Sequence, residues 1–113
     1  MPDTTRNLIE SYIKSLQTIY GSHLKQVILY GSYARGDNNP DSDIDIMLLL
    51  DLSDIEIKDY FDSLSDLTYD YFLDYDIDIS PIAINDAHFA KWVDSYPFYN
   101  NVSKEGVVLY DAA

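Results

Sequence analysis

The sequence contains no cysteine, only four glycines and four prolines, and no apolar run that approaches the length of a membrane span. The absence of cysteine excludes a disulfide framework. No apolar stretch near the first residue resembles a signal peptide, and a membrane-spanning helix needs about 20 predominantly apolar residues. Together these absences predict a soluble cytoplasmic protein.

Basic residues are also scarce, with 7 lysines and arginines against 20 aspartates and glutamates and a formal net charge of −13. Nucleic-acid binding requires basic side chains to neutralise phosphates, so this balance opposes a nucleic-acid partner and favours a basic protein partner. The 113 residues are enough for one hydrophobic core. Residues 1–113 are therefore predicted to form a single domain.

The most informative segment is GSYARGDNNPDSDID at residues 31–45. Gly31 and Ser32 directly follow the apolar run 26–30, which has the length and composition of a strand. A turn at this point can present backbone N–H groups and a hydroxyl to a phosphate, and a short helix opening at Ser32 would add its positive end. Gly36 is expected to end that helical turn.

Ten residues separate Ser32 from an Asp-x-Asp motif, Asp43 to Asp45, which lies at the start of the second apolar run at residues 46–50. Side chains alternate between the faces of a strand, so Asp43 and Asp45 should point the same way while Ile44 and Ile46 point into the core. Two parallel carboxylates offer hard oxygen ligands and leave room for water and substrate phosphates. This pattern favours Mg²⁺.

These acids have two other possible interpretations, a solvated acidic face and a calcium-binding loop. An Asp-x-Asp in an aspartate-rich chain can simply be a solvated acidic face. A calcium loop of the EF-hand type is suggested by Asp37, Asn39 and Asp41, but Ser42 occupies the required glycine position and Leu48 the closing glutamate position. The calcium interpretation therefore fails.

The pattern Gly-Ser, ten residues, Asp-x-Asp resembles the signature of the minimal nucleotidyltransferases of the DNA polymerase β-like superfamily. The resemblance implies an α/β (α+β) fold, a small mixed β-sheet flanked by helices. It also implies that Gly31 and Ser32 hold the phosphates of ATP, and that Asp43 and Asp45 bind two Mg²⁺ ions as catalytic residues.

A third carboxylate is expected on a later strand of this family, and the segment 75–84 supplies two candidates on one strand face. The resemblance favours Asp78 over Asp76 as metal ligand and catalytic residue, since family members usually carry a single acid before two apolar residues. The remaining alternative is a solvated acidic edge. Asp78 is the candidate acceptor for the substrate hydroxyl proton, and Arg35 either contacts a phosphate or faces solvent.

The implied activity is magnesium-dependent transfer of AMP from ATP to a protein hydroxyl, with release of diphosphate. The resemblance extends to the MntA-type antitoxins, which pair with HEPN-domain ribonuclease toxins and adenylylate a tyrosine near the toxin's catalytic motif. A chain of this length has no room for a separate acceptor-binding domain, so a partner is expected to present the acceptor. The alternatives are a non-catalytic antitoxin that covers its partner, and transfer to a small molecule such as an aminoglycoside.

The remaining segments alternate between helical and strand patterns. Helices are predicted at residues 4–20, from the capping box of Ser53 and Glu56 onward, from Asn85 to about residue 93, and at residues 98–105. In the second of these, the predicted buried side consists of Ile57, Tyr60, Phe61, Leu64, Leu67, Tyr71 and Phe72. Residues 107–110 are either an edge strand or a docking tail. Tyr30 and Tyr33 flank the Gly-Ser pair and are candidates for stacking on a base, although Tyr30 equally completes the buried face of its strand.

Overall fold

A four-stranded mixed sheet with helices on both faces forms the centre of the computed structural model, which describes residues 1–112. Its strands are β1 (Leu24–Tyr30), β2 (Ile44–Leu50), β3 (Ile79–Asn85) and β4 (Val107–Asp111), in the spatial order β3-β2-β1-β4. β2 and β3 are parallel, whereas β1 is antiparallel to both β2 and β4. The predicted α/β (α+β) fold with a small mixed sheet is confirmed.

The α-helices are α1 (Asp3–Tyr20), α2 (Ser32–Arg35), α3 (Asp54–Asp59), α4 (Phe61–Tyr75), α5 (Asp86–Trp92) and α6 (Pro97–Glu105). The predicted first helix is confirmed, and it ends at Gly21 with a φ of 58°. β4 pairs with β1 at the sheet edge, so the last run is a strand. Among residues 1–112, no helix is both long and apolar enough to cross a membrane.

Side chains of the central strands point alternately to the two faces of the sheet and pack into two hydrophobic cores. Val27 and Leu29 of β1 belong to the larger core under α1 and α4, whereas Ile28 faces the other side of the sheet. There it belongs to a smaller core with Tyr99 and Val102 of α6. Because β2 lies between β1 and β3 and is covered on both faces, its position is fixed along its length.

The region after β2 differs from its prediction. The capping box is confirmed, since Ser53 Oγ accepts from the Glu56 N–H at 3.2 Å and Glu56 Oε1 accepts from the Ser53 N–H at 3.0 Å. However, Tyr60 breaks the predicted single helix into α3 and α4. Burial of Phe61 and Phe72 was predicted wrongly, because their side chains are exposed by 67% and 47%. Periodicity indicates a helix face but not how much of that face a neighbour covers.

The segment predicted as a strand over residues 75–84 becomes a strand only at Ile79. α4 runs on to Tyr75 and ends at Asp76, whose φ of 53° is left-handed and whose N–H donates to the Phe72 carbonyl at 3.1 Å. Asp76 is thus a helix cap rather than a strand residue, and the prediction that Asp76 and Asp78 share one strand face was wrong. A left-handed cap at aspartate is less common than at glycine or asparagine.

Candidate active site

The Gly-Ser pair lies at the end of β1, where the chain turns into α2 as predicted. α2 ends at Gly36, whose φ is 82° and whose N–H donates to the Ser32 carbonyl at 2.9 Å. Gly31 has a φ of 76°, and a Cβ added to it would overlap Oδ2 of Asp45. Only glycine fits here, because the backbone is left-handed and lies directly against a carboxylate.

Asp43 directly precedes β2, and Asp45 is its second residue, opposite Tyr30 of β1. Ile44 and Ile46 both belong to the larger core. Since neighbouring strand residues face opposite ways, Asp45 points to the other side of the sheet, as the alternation predicted. The half-buried Asp45 is held against Gly31, whereas Asp43 is exposed.

Parallel pairing of β3 with β2 brings a third carboxylate to this edge. Ile44 pairs with Ile79, and the Ile44 N–H donates to the Asp78 carbonyl at 2.8 Å. Asp78 therefore precedes β3 as Asp43 precedes β2, and the two side chains are close enough to interact electrostatically. Asp76 lies on the helix cap, although it lines the same cleft as Asp78.

The charge of Asp43 disfavours the charged forms of both Asp45 and Asp78. Desolvation and the Asp43 charge both raise the pKa of Asp45, and the Arg35 charge opposes this rise. Desolvation and the Asp43 charge also raise the pKa of Asp78. Asp43 thus lies within electrostatic reach of both other acids, and like charges held together favour a bound cation.

The carboxylates at this edge of the sheet are possible ligands for a metal ion. Within residues 1–112, no three His, Cys, Asp or Glu side chains are already grouped around one metal position. Mg²⁺ does not require such a group, because it commonly takes one or two carboxylates and completes its shell with water and substrate phosphates. The carboxylates of Asp43, Asp45 and Asp78 fit that requirement as a donor set.

Arg35 is tied to two acids at the edge of the site. Its Nε donates to Asp37 Oδ2 at 3.1 Å, and its Nη1 donates to Glu105 Oε2 at 3.3 Å. The contact between Arg35 and Glu105 joins residues 70 positions apart, so no local spacing in the sequence predicts it. These exposed ion pairs hold the guanidinium near Asp45. Its positive charge offsets part of the rise in the pKa of Asp45.

A cleft of about 440 Å³ opens beside the Gly-Ser pair. It is lined by Tyr30, Gly31, Ser32, Arg35, Asp45, Phe98, Asn101, Val102 and Glu105. We call it the phosphate-side cleft. The rings of Tyr30 and Phe98 meet edge to face at 5.6 Å, and burial, with the Asp45 charge second, raises the pKa of Tyr30 to about 12. Phe98 and Asn101 were missed from sequence, although their spacing of three on α6 places them on one helix face.

A second cleft of about 410 Å³ has Asp78 in its lining. The lining also includes Tyr33, Ser42, Phe72, Tyr75 and Asp76. We call it the Asp78-side cleft. Tyr33 and Tyr30 therefore border different clefts. Asp45 lines one cleft and Asp78 lines the other, and the charge of Asp43 acts on both acids.

Comparisons with known proteins identify the class to which this arrangement belongs. A family model described as "Nucleotidyltransferase domain" matches residues 9–99. The chain belongs to this family and is a nucleotidyltransferase. Two proteins of Methanocaldococcus jannaschii, each named "Putative protein adenylyltransferase", are similar to it. One is 36% identical over 102 residues, covering 90% of this chain and 94% of the relative. The other is 33% identical over 93 residues, covering 81% and 91%.

Solved structures share the fold at low sequence identity. A toxin-antitoxin structure with AMP-PNP aligns with a TM-score of 0.55 and 22% identity, covering 91% of this chain and 73% of that one. A mutant of the toxin-antitoxin MntA-HpeT aligns with the same TM-score at 20% identity and the same coverage. A "putative nucleotidyltransferase" from Sulfolobus solfataricus aligns with a TM-score of 0.56 and 21% identity, covering 92% and 86%.

Proposed function

We propose that this chain transfers AMP from ATP to a hydroxyl group of a partner HEPN-type ribonuclease toxin, most simply a tyrosine hydroxyl, and thereby acts as its antitoxin. Two similar proteins carry the name of protein adenylyltransferases. Two structures with the same fold are toxin-antitoxin complexes, one of them with an ATP analogue. In this proposal residues 1–113 act as one minimal nucleotidyltransferase domain, and the partner presents the acceptor.

The nucleotide phosphates are assigned to the phosphate-side cleft. Gly31 and Ser32 hold them through the turn after β1, and Arg35 supplies positive charge. The supporting observation is that all three residues line one cleft together with Asp45. Exposed backbone N–H groups at such a turn suit phosphate oxygens.

Asp43, Asp45 and Asp78 are assigned to two Mg²⁺ ions. The observation that supports this assignment most strongly is the parallel pairing of β2 and β3, because it places Asp78 beside the Asp-x-Asp motif. There the charge of Asp43 contributes to the raised pKa of both Asp45 and Asp78. Bound Mg²⁺ would stabilise the attacking and leaving oxygens of an in-line displacement at phosphorus.

In the proposed step the acceptor oxygen forms a bond to the α-phosphorus of ATP while the bond to the bridging oxygen breaks, and diphosphate leaves. The acceptor hydroxyl loses its proton to the carboxylate of Asp78. A raised carboxylate pKa improves such a base, since proton transfer is most efficient when its pKa approaches the working pH. Asp78 borders the Asp78-side cleft, so the acceptor would enter through that cleft while the nucleotide occupies the phosphate-side cleft.

The test is intact-protein mass spectrometry on a HEPN-domain protein encoded beside this chain, after incubation with the chain, ATP and Mg²⁺. The expected result is a mass gain of one or more AMP units. An Asp43→Asn, Asp45→Asn double variant should give no gain.

Two results would contradict the proposal. If both proteins inhibit the HEPN-domain protein without any mass gain, the chain is an antitoxin that acts by covering its partner. If the HEPN-domain protein is neither modified nor inhibited, the proposed acceptor is wrong.

A further inference from the structure

The outer side of α4 exposes a row of large apolar side chains. Phe61, Tyr69 and Leu73 are exposed by 67%, 60% and 60%, and Phe72 lies beside them. Their positions lie within about a third of the helix circumference, at 100° per residue. The rings of Tyr69 and Phe72 stack on each other with centroids 6.4 Å apart. This apolar row has no cover within residues 1–112, and such exposure often marks an interaction site.

An acidic row runs along α4 next to the apolar row. It consists of Asp62, Asp66, Asp70 and Asp74, spaced four residues apart and all exposed. No lysine, arginine or histidine in the described part of the chain forms an ion pair with any of them. Like charges four residues apart on a helix repel one another, so the row costs stability while it is unpaired.

The apolar row leads directly into the proposed catalytic centre. Phe72 belongs to the row, and it also lines the Asp78-side cleft together with Tyr75 and Asp78. A protein lying along α4 would therefore reach the carboxylate that is assigned to take the acceptor proton.

Charge decides which kind of occupant fits. A second copy of this chain would bring another acidic row and another net charge of −13 to the same place. A partner segment with lysines or arginines beside an apolar face would pair with the acids and cover the aromatic rings. Opposite charges across an interface speed association and fix its register.

We infer that the apolar and acidic rows of α4 form the docking surface for the acceptor protein. The occupant is an amphipathic helix whose apolar face is bordered by basic residues, and the acceptor hydroxyl enters the Asp78-side cleft. This inference rests on the proposed function for the protein acceptor, its identity as a HEPN-type toxin and the role of Asp78.

The experiment measures the affinity of the HEPN-domain protein for this chain by calorimetry without ATP, so that docking is read apart from transfer. A Phe61→Gln, Tyr69→Gln, Leu73→Gln variant should bind at least tenfold more weakly, since a few large side chains near the centre of an interface carry most of its binding energy. Ile55→Gln is the matched control, because Ile55 is 76% exposed but lies on α3. It should bind like the wild type.

A second pair of variants, which have the same net charge as each other, tests the acidic row. Asp62→Lys, Asp66→Lys, Asp70→Lys should weaken binding at least tenfold. Asp3→Lys, Glu10→Lys, Asp94→Lys changes the total charge equally but leaves α4 intact, and it should bind within twofold of the wild type. Circular dichroism checks that each variant keeps its helices.

Docking on α4 is overturned if both α4 variants bind the HEPN-domain protein like the wild type, or if sedimentation shows a homodimer that the apolar-row variant dissociates. Failure of the proposed function looks different. In that case the HEPN-domain protein binds and α4 matters, but no AMP is transferred when ATP and Mg²⁺ are added.

Discussion

The two ends of β2 carry aspartates in opposite electrostatic surroundings. Asp51, just after the strand, accepts from His23 Nδ1 at 2.7 Å and lies 3.4 Å from Lys25 Nζ. These partners lower its pKa, the His23 hydrogen bond most strongly. At the other end the pKa of Asp45 is raised by desolvation and by the Asp43 charge. One strand thus separates a carboxylate with partners from carboxylates held against each other.

This difference is the one expected between structural acids and the acids proposed to be functional. Charge at Asp51 is balanced by neighbours, so the carboxylate favours the folded state. Charge at Asp45 is balanced only in part, because Arg35 also forms ion pairs with Asp37 and Glu105. Unfavourable charge of this kind is typical of sites that bind a cation or do chemistry.

We expect the strongest loss of activity when charge is removed at the end of β2 that carries Asp43 and Asp45. The Asp43→Asn, Asp45→Asn double variant should lose at least about a thousandfold in AMP transfer, since removal of metal and oriented charge commonly costs about 4 kcal/mol of transition-state stabilisation. Asp51→Asn should keep near wild-type transfer. Initial rates measure both, and equal losses would contradict the division between the two ends.

Magnesium should stabilise only the protein with its carboxylates intact. At a concentration one hundred times the dissociation constant, binding to the native state adds about 2.7 kcal/mol to the free energy of unfolding. A thermal melt of the wild type with and without Mg²⁺ should show this rise, and the double variant should show none. An equal rise in both proteins would place the ion elsewhere.

Gly31→Ala should destabilise the protein by about 2 kcal/mol, because it combines a left-handed φ with an overlap on Asp45. Gly36→Ala is the matched control: its φ is 82°, but an added Cβ meets nothing within 4 Å. Urea unfolding should give a clearly larger loss at Gly31. Equal losses would show that contact with Asp45 adds nothing to the requirement for glycine.

Arg35→Gln should raise the KM for ATP about tenfold, which corresponds to about 1.4 kcal/mol of lost binding. Its melting temperature should hardly change, since exposed ion pairs contribute about 0–1 kcal/mol. Arg6→Gln, which removes an exposed pair with Asp3, is the control. A lowered kcat with unchanged KM would contradict a role in binding the nucleotide.

The smallest expected effects are those of pH on the metal-free protein. The folded pKa of Asp45 lies above its unfolded value, so stability falls as pH rises through that interval, and Asp45→Asn should raise the melting temperature at pH 7. The folded pKa of Asp51 is lowered, so its contribution is present above the unfolded value of about 3.9 and is lost as pH falls through the folded pKa. Asp51→Asn should therefore lower the melting temperature at pH 7, and shifts of the same sign would contradict the comparison.

The features that were best predicted from the sequence are those that depend on residues close together in the chain. The Gly-Ser turn, α2, the Asp-x-Asp strand and the capping box at Ser53 each depend on residues a few positions apart. The start of β3 was misplaced because α4 continues through Tyr75 to a left-handed aspartate. The alternating pattern at residues 75–79 could not show this competition between helix and strand.

Long-range contacts were beyond the reach of sequence spacing. The contact between Arg35 and Glu105 joins α2 to α6 across 70 residues. The exposure of Phe61 and Phe72 depends on how little of α4 its neighbours cover, which periodicity does not reveal.

We expect the carboxylates of Asp43, Asp45 and Asp78 to direct attack at the α-phosphorus of ATP. The most direct measurement incubates the chain, Mg²⁺ and the HEPN-domain protein with ATP labelled at the α-phosphorus, and in parallel with ATP labelled at the γ-phosphorus. The α-label should appear on the HEPN-domain protein and the γ-label in diphosphate. Transfer of the γ-label to the protein would show that attack is not at the α-phosphorus. Transfer of the α-label that persists in the Asp43→Asn, Asp45→Asn variant would show that these carboxylates do not direct it.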